Sequence, residues 1–305
     1  MPMPEALRTA EDRFADLPDF PWQPRYRDNL VGYEGLRMAR IDEGPEDADQ
    51  VFLCLHGQPA WSFLYRHMIP VFLDTGARVV APDLFGFGRS DKPVDDATYT
   101  FNFHRQSLIA LIEALDLRRI TLVVQDWGGI LGLTIPPDMA DRFDRLLVMD
   151  TVLGLGGGST EGFDAWRRMH GEQLDYDMAA LFKDYVPGMS DAVAAAYAAP
   201  FPDARYRAGA RRFPFLVMTE PQMEGVEVSK RAARWWASEF QGDSFMAVGE
   251  QDKLIPPWLM KRMHEILGLT RPPLRLPDAG HFVQETHGVE VARAALAAWA
   301  ENPEG

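Results

Sequence analysis

Ile120-Thr121-Leu122-Val123-Val124-Gln125-Asp126-Trp127-Gly128-Gly129 decides how the rest of the chain is read. Ile120 to Val124 is an apolar run with the length and β-branching of a short buried strand. Glycines flank a tight turn, and the apolar stretch Ile130 to Ile135 then opens a helix. Strand, sharp turn and helix together make a nucleophile elbow, here with Asp126 at the position that usually holds serine. A carboxylate is already ionised at neutral pH. It attacks carbon without a base to remove its proton, and the ester so formed must be cut by water. That chemistry suits displacement at an sp3 carbon rather than cleavage of a peptide or ester.

Outward from the elbow, the same strand–turn–helix pattern recurs. Val51 to Leu55 runs into His56-Gly57-Gln58-Pro59, and Arg78 to Ala81 runs into the Gly-rich loop Pro82 to Ser90. A fourth strand, Leu146 to Met149, ends at Asp150. Strands alternating with helices predict an α/β fold with a mostly parallel sheet covered on both faces. Ligands bind at the carboxyl edge of such sheets, where all four of these loops lie.

The alternation breaks at the Gly-rich joint Leu153 to Ser159. From Thr160 to about Met223 the segments Phe163 to Leu174, Met178 to Tyr185 and Asp191 to Ala199 read as helices, with no clear buried strand. Strand character returns at Ser244 to Val248. The expected organisation is a core of residues 1–154 and 224–305 carrying an inserted helical cap, residues 155–223. Only Glu301 to Gly305 reads as a loose tail.

Bulk properties narrow the function. The 305 residues suffice for a large core, and a net charge of −14 opposes phosphate and anionic membrane surfaces alike. Neither nucleic acid nor a membrane is therefore an expected partner. The single cysteine, Cys54, lies in a strand-like run and reads as a small buried hydrophobe. Met1 to Phe20 has no apolar signal core and no run reaches membrane-spanning length, so a cytoplasmic location is expected.

A second group of residues complements the elbow. His281 sits in Pro277-Asp278-Ala279-Gly280-His281-Phe282-Val283, a turn after the apolar positions Leu274 and Leu276. Nucleophile, acid, histidine is the chain order of α/β-hydrolases. Asp252, just past a strand in Val248-Gly249-Glu250-Gln251-Asp252-Lys253, could accept the histidine N–H and fix its tautomer. A loop aspartate can equally cap the following helix. Asp150 competes for the acid role because it ends the strand after the nucleophile helix. Backbone N–H groups of Gln58 and Trp127 could form an oxyanion hole. The Trp127 indole, a donor with no acceptor, suits a departing anion such as halide, although most tryptophans are core residues.

His56-Gly57-Gln58-Pro59, Gln125-Asp126-Trp127-Gly128-Gly129 and Asp278-Ala279-Gly280-His281-Phe282-Val283-Gln284-Glu285 together resemble the haloalkane dehalogenases. The resemblance runs from Thr9 to about Trp299 and is closest to the subgroup that holds its acid after the penultimate core strand, which favours Asp252. In that subgroup a second halide-gripping tryptophan comes from a Phe-x-Ala-Trp setting in the first cap helix. Phe163-Asp164-Ala165-Trp166 fits, so the resemblance makes Trp166 the second clamp. It also implies an apolar substrate wall at Ile130, Phe163, Leu254 and Ile255. Two positions depart from the best-known relative: Gln58 replaces a glutamate, and Asp150 replaces an asparagine.

The resemblance implies attack by Asp126 on a halogen-bearing carbon, followed by ester hydrolysis with His281 as base and Asp252 stabilising the imidazolium. The partners are a small halogenated alkane, water and halide ion. No metal or organic cofactor is expected, since no motif such as His-x-x-x-His appears. Chain length, halogen preference and oligomeric state, monomer or otherwise, stay open at this level. An epoxide hydrolase shares the Asp elbow and would need two cap tyrosines, for which Tyr176, Tyr185, Tyr197 and Tyr206 are available. A non-catalytic receptor on the same fold is a further alternative.

Overall fold

The computed structural model describes residues 4–173 and 175–301. Its strands are β1 (Ala6–Leu7), β2 (Arg25–Arg27), β3 (Met38–Glu43), β4 (Val51–Leu55), β5 (Arg78–Pro82), β6 (Lys92–Pro93), β7 (Ile120–Gln125), β8 (Phe143–Met149), β9 (Asp243–Gly249) and β10 (Leu274–Leu276). Eight of them form one sheet in the order β10-β9-β8-β7-β4-β5-β3-β2, while β1 pairs with β6. From β10 to β5 every pairing is parallel; β3 and β2 join antiparallel at the other edge. β4, β5 and β7 are buried along their whole length. Burial on both faces is the reason they show as unbroken apolar runs in the sequence.

The helices are α1 (Ile69–Leu73), α2 (Phe101–Ala114), α3 (Trp127–Gly132), α4 (Glu161–Glu172), α5 (Met178–Tyr185), α6 (Asp191–Ala198), α7 (Ala208–Arg212), α8 (Val226–Ser238), α9 (Pro257–Ile266) and α10 (Val283–Ala300). Between β8 and β9 the described residues hold helices and no strand. No helix among the described residues is long and apolar enough to cross a membrane.

Several boundaries differ from the sequence expectation, each for a local reason. α3 begins at Trp127, not at Ile130. Gly128 and Gly129 are helical; a Cβ at Gly128 would stand 1.9 Å from the Leu55 carbonyl oxygen, so glycine there permits close packing of helix on strand. α4 starts at Glu161, because the Thr160 hydroxyl caps it by accepting the Phe163 N–H at 3.1 Å. The end expected at Leu174 lies outside the described residues, as do residues 302–305 of the expected tail and Met1 to Met3. β2 and β3 were not expected, since Arg25-Tyr26-Arg27 and Met38 to Glu43 mix charged and apolar residues.

Candidate active site

The elbow is held in a strained form. Asp126 has φ 49° and ψ −124°, outside the regions that L residues favour. Such conformations cost about 1–3 kcal/mol and need support from their surroundings. The support is visible: the Asp126 N–H donates to the Asp150 carbonyl at 3.0 Å, and the Thr151 hydroxyl donates to the Asp126 carbonyl at 2.6 Å. The result is a carboxylate projected from the carboxyl end of β7 into the base of a cavity of about 160 Å³. Mostly apolar side chains line it, among them Ile130, Phe163, Leu254 and Ile255, the four positions expected from the resemblance.

The two oxygens of Asp126 meet different partners. Oδ1 accepts the backbone N–H of Gln58 at 2.7 Å, and the backbone N–H of Trp127 also bonds the carboxylate. Oδ2 stands 3.7 Å from His281 Nε2, beyond ordinary hydrogen-bond length. Close approach from the β4 loop demands Gly57, where a Cβ would fall 2.3 Å from Asp126 Oδ1. His56 braces that loop: its Nε2 accepts the Leu84 N–H at 3.0 Å, and its Nδ1 lies 2.8 Å from the Gly57 carbonyl.

His281 Nδ1 lies 2.7 Å from Asp252 Oδ2, so the ring donates there and Nε2 faces the nucleophile. Asp252 Oδ1 accepts the N–H groups of Leu254 (2.7 Å) and Ile255 (3.0 Å). The carboxylate thus both orders its own turn and orients the histidine. Asp150 is fully buried, and its oxygens accept only the Gly249 N–H, at 3.2 and 3.3 Å. Among the described residues it makes no hydrogen bond to His281.

Burial and charge set the protonation states. Burial pushes the Asp126 carboxyl upward, while the His281 charge and the two backbone N–H groups pull it down. Asp150 is pushed well above the usual carboxylate range, first by burial and then by the Asp252 charge. Burial opposes charge on His281, but Asp252, Asp126 and Asp150 outweigh it and lift its pKa to about 9. Gln125 works in the other direction. Its Nε2 lies 3.0 Å from His281 Nε2 and donates to the His281 carbonyl at 3.1 Å. A donor aimed at Nε2 favours the neutral ring.

Trp127 and Trp166 both line the cavity beside Asp126. The Trp127 indole N–H has no protein acceptor among the described residues, and its ring packs 4.4 Å from Phe213. Trp166, expected as the second halide clamp, has its indole N–H engaged within the protein. Its Nε1 donates to Gln58 Oε1 at 3.0 Å. The Gln58 side chain, which replaces a glutamate of the best-known relative, is fully engaged: Nε2 also lies 2.9 Å from His170 Nε2 and donates to the Ala210 carbonyl at 3.0 Å. Tyr176, Tyr185, Tyr197 and Tyr206 do not line the cavity, and the Tyr197 hydroxyl is committed to Glu285 at 2.6 Å.

Gln125 and His170 are the residues of this site that sequence reasoning missed. Gln125 was readable as an amide closing a buried strand immediately before the nucleophile. His170 follows Trp166 by one helical turn, a spacing that puts both on one face of α4.

A mostly parallel sheet, a strained acidic elbow and a histidine paired with a later aspartate define an α/β-hydrolase, and a family model of the alpha/beta hydrolase fold matches residues 50–288. A haloalkane dehalogenase of Psychrobacter cryohalolentis is 39% identical over 313 residues, covering 97% of this chain and 99% of its own. Another, from Mycolicibacterium paratuberculosis, is 38% identical over 294 residues, covering 95% and 97%. The tetrameric structure of a haloalkane dehalogenase from Paraglaciecola agarilytica NO2 matches with a TM-score of 0.94 at 50% identity, covering 96% of this chain and 98% of that one. This chain belongs to the haloalkane dehalogenase family.

Proposed function

We propose that this chain hydrolyses the carbon–halogen bond of small haloalkanes, releasing an alcohol, a halide ion and a proton. The observation that carries this reading is the asymmetry of Asp126. Oδ1 is tied by the Gln58 backbone N–H, and Oδ2 has no hydrogen bond among the described residues at the base of an apolar cavity flanked by two indoles. Oδ2 attacks the carbon in line with the departing halogen, and the bound geometry replaces a chance encounter. The indoles of Trp127 and Trp166 receive the halide. Oδ1 then becomes the ester carbonyl oxygen, already placed for oxyanion stabilisation by Gln58 and Trp127.

Hydrolysis needs a neutral histidine. In the resting site three carboxyl groups lift the His281 pKa to about 9. Alkylation turns Asp126 into a neutral ester and removes one of those charges, so the ring loses its proton more readily when it must act as base. His281 takes a proton from water attacking the ester carbon, and Asp252 stabilises the imidazolium.

Residues 155–223, as a cap over residues 1–154 and 224–305, supply Phe163 and Trp166 to the cavity. The epoxide-hydrolase alternative would need a pair of tyrosines facing Asp126, and none of the cap tyrosines lines the cavity. The tetramer of the Paraglaciecola relative makes self-association of this chain a proposal that light scattering can test. A halide-release assay with a short bromoalkane tests the activity. Stoichiometric bromide and alcohol support it, and hydrolysis of an epoxide with no bromide release favours the alternative.

A further inference from the structure

We propose that His170 is a positioning residue for the Trp166 indole, acting through the side-chain amide of Gln58. The proposal rests on the reading of Trp166 as part of the halide clamp. His170 is fully buried, and its Nδ1 lies 3.0 Å from the Trp166 carbonyl, which can only accept, so Nδ1 carries the proton. Burial pushes its pKa down to about 4, and the ring is neutral with a bare Nε2.

That bare nitrogen fixes Gln58. The atom 2.9 Å away must donate, and so must the atom 3.0 Å from the Ala210 carbonyl. One amide nitrogen serves both. The amide oxygen is thereby turned to the Trp166 indole N–H at 3.0 Å. The flipped amide would set oxygen against two acceptors and an NH2 against an indole N–H, losing all three bonds. His170 and the Ala210 carbonyl therefore together select the amide orientation that holds the indole.

The consequence concerns the clamp. With no halide present, the buried indole N–H is satisfied by a neutral oxygen rather than orphaned. A halide ion beside it is the stronger, charged acceptor. The N–H can change partners without the ring searching for its orientation, because His170 and Trp166 also pack at 4.3 Å on the same helix face. Gln58 thus links the two halves of the centre: its main chain binds Asp126 at 2.7 Å and its side chain binds Trp166.

Nitrogen-15 histidine spectra of the wild type give the first test. A neutral ring protonated on Nδ1 is expected, and an Nε2–H tautomer overturns the proposal. Bromide titration by tryptophan fluorescence gives the second. His170→Phe keeps an aromatic ring but loses the acceptor, and should weaken bromide binding and kcat/KM by about fivefold or more. His170→Gln can return an acceptor near the position of Nε2 and should restore both to within about twofold. Trp166→Phe is the control. If it binds bromide as the wild type does, the clamp reading itself fails. If it weakens binding while His170→Phe does not, only the positioning role is refuted. Should His170→Phe not fold, a folded His170→Gln that binds bromide no better than Trp166→Phe also refutes it.

Discussion

Nε2 of His281 stands 3.7 Å from Oδ2 of Asp126, while Oδ1 of the same carboxylate is bound at 2.7 Å by a backbone N–H. The histidine is close enough to share the field of the carboxylate and too far to hold its attacking oxygen in a hydrogen bond. Asp126 can therefore serve as nucleophile first, and His281 as base only afterwards.

The two buried carboxyl groups behind the histidine should behave oppositely. Asp252→Asn removes the charge that holds His281 Nδ1–H at 2.7 Å and should lower turnover by about a hundredfold or more. Asp150→Asn keeps an acceptor for the Gly249 N–H and removes no hydrogen bond to His281, and should cost less than about threefold. Steady-state kinetics on one bromoalkane ranks them, and the reverse ranking gives the acid role to Asp150.

The pairing of His281 with Asp252 should also appear in stability. The folded pKa of His281 is raised to about 9, above the ordinary value of 6.5. Its contribution is then fully present below about pH 6.5 and lost as pH rises to about 9. Melting curves of wild type and Asp252→Asn should differ most near pH 6 and converge towards pH 9 and above. A gap that widens with pH would contradict the raised pKa.

Gly57 makes room for the nucleophile. A methyl group there would sit 2.3 Å from Asp126 Oδ1, so Gly57→Ala must displace either the carboxylate or the loop. A displacement near 1 Å costs about a hundredfold in rate. Single-turnover alkylation should slow by that order while the far-ultraviolet circular dichroism stays native. An unchanged alkylation rate would show that the contact does not position Asp126.

Trp127 has an indole N–H with no protein acceptor among the described residues, so its donor is available to the halide. Hydrogen bonds to charged groups contribute about 1.5–3 kcal/mol. Trp127→Phe should therefore slow carbon–halogen cleavage by about tenfold to a hundredfold. Stopped-flow fluorescence and product analysis separate that step from ester hydrolysis, which should change less.

What could be read from the sequence follows from which contacts are local. Val51 to Leu55 and Ile120 to Val124 announce themselves because both faces of these strands are buried. The Asp126 elbow and the His281 turn are short segments whose residue types name their chemistry. The β2–β3 edge stayed hidden because its residues are partly charged and its strands pair antiparallel at the rim. The Gly128-Gly129 pair was misread as a turn because its purpose, contact with Leu55, lies far away in the chain. The Gln58–His170 and Gln125–His281 contacts join residues 112 and 156 positions apart. No local pattern encodes such pairs, and for that reason the bond of the Trp166 indole to Gln58 was not foreseen.

The central claim is that Asp126 forms a covalent ester that water then cuts at the carboxyl carbon. A single turnover in heavy-oxygen water, with enzyme in excess over a bromoalkane, tests it most directly. The account predicts heavy oxygen in the Asp126 carboxylate, found by mass spectrometry of the peptide that contains it, and unlabelled alcohol. Label in the alcohol with none in Asp126 would mean direct attack by water and would contradict it.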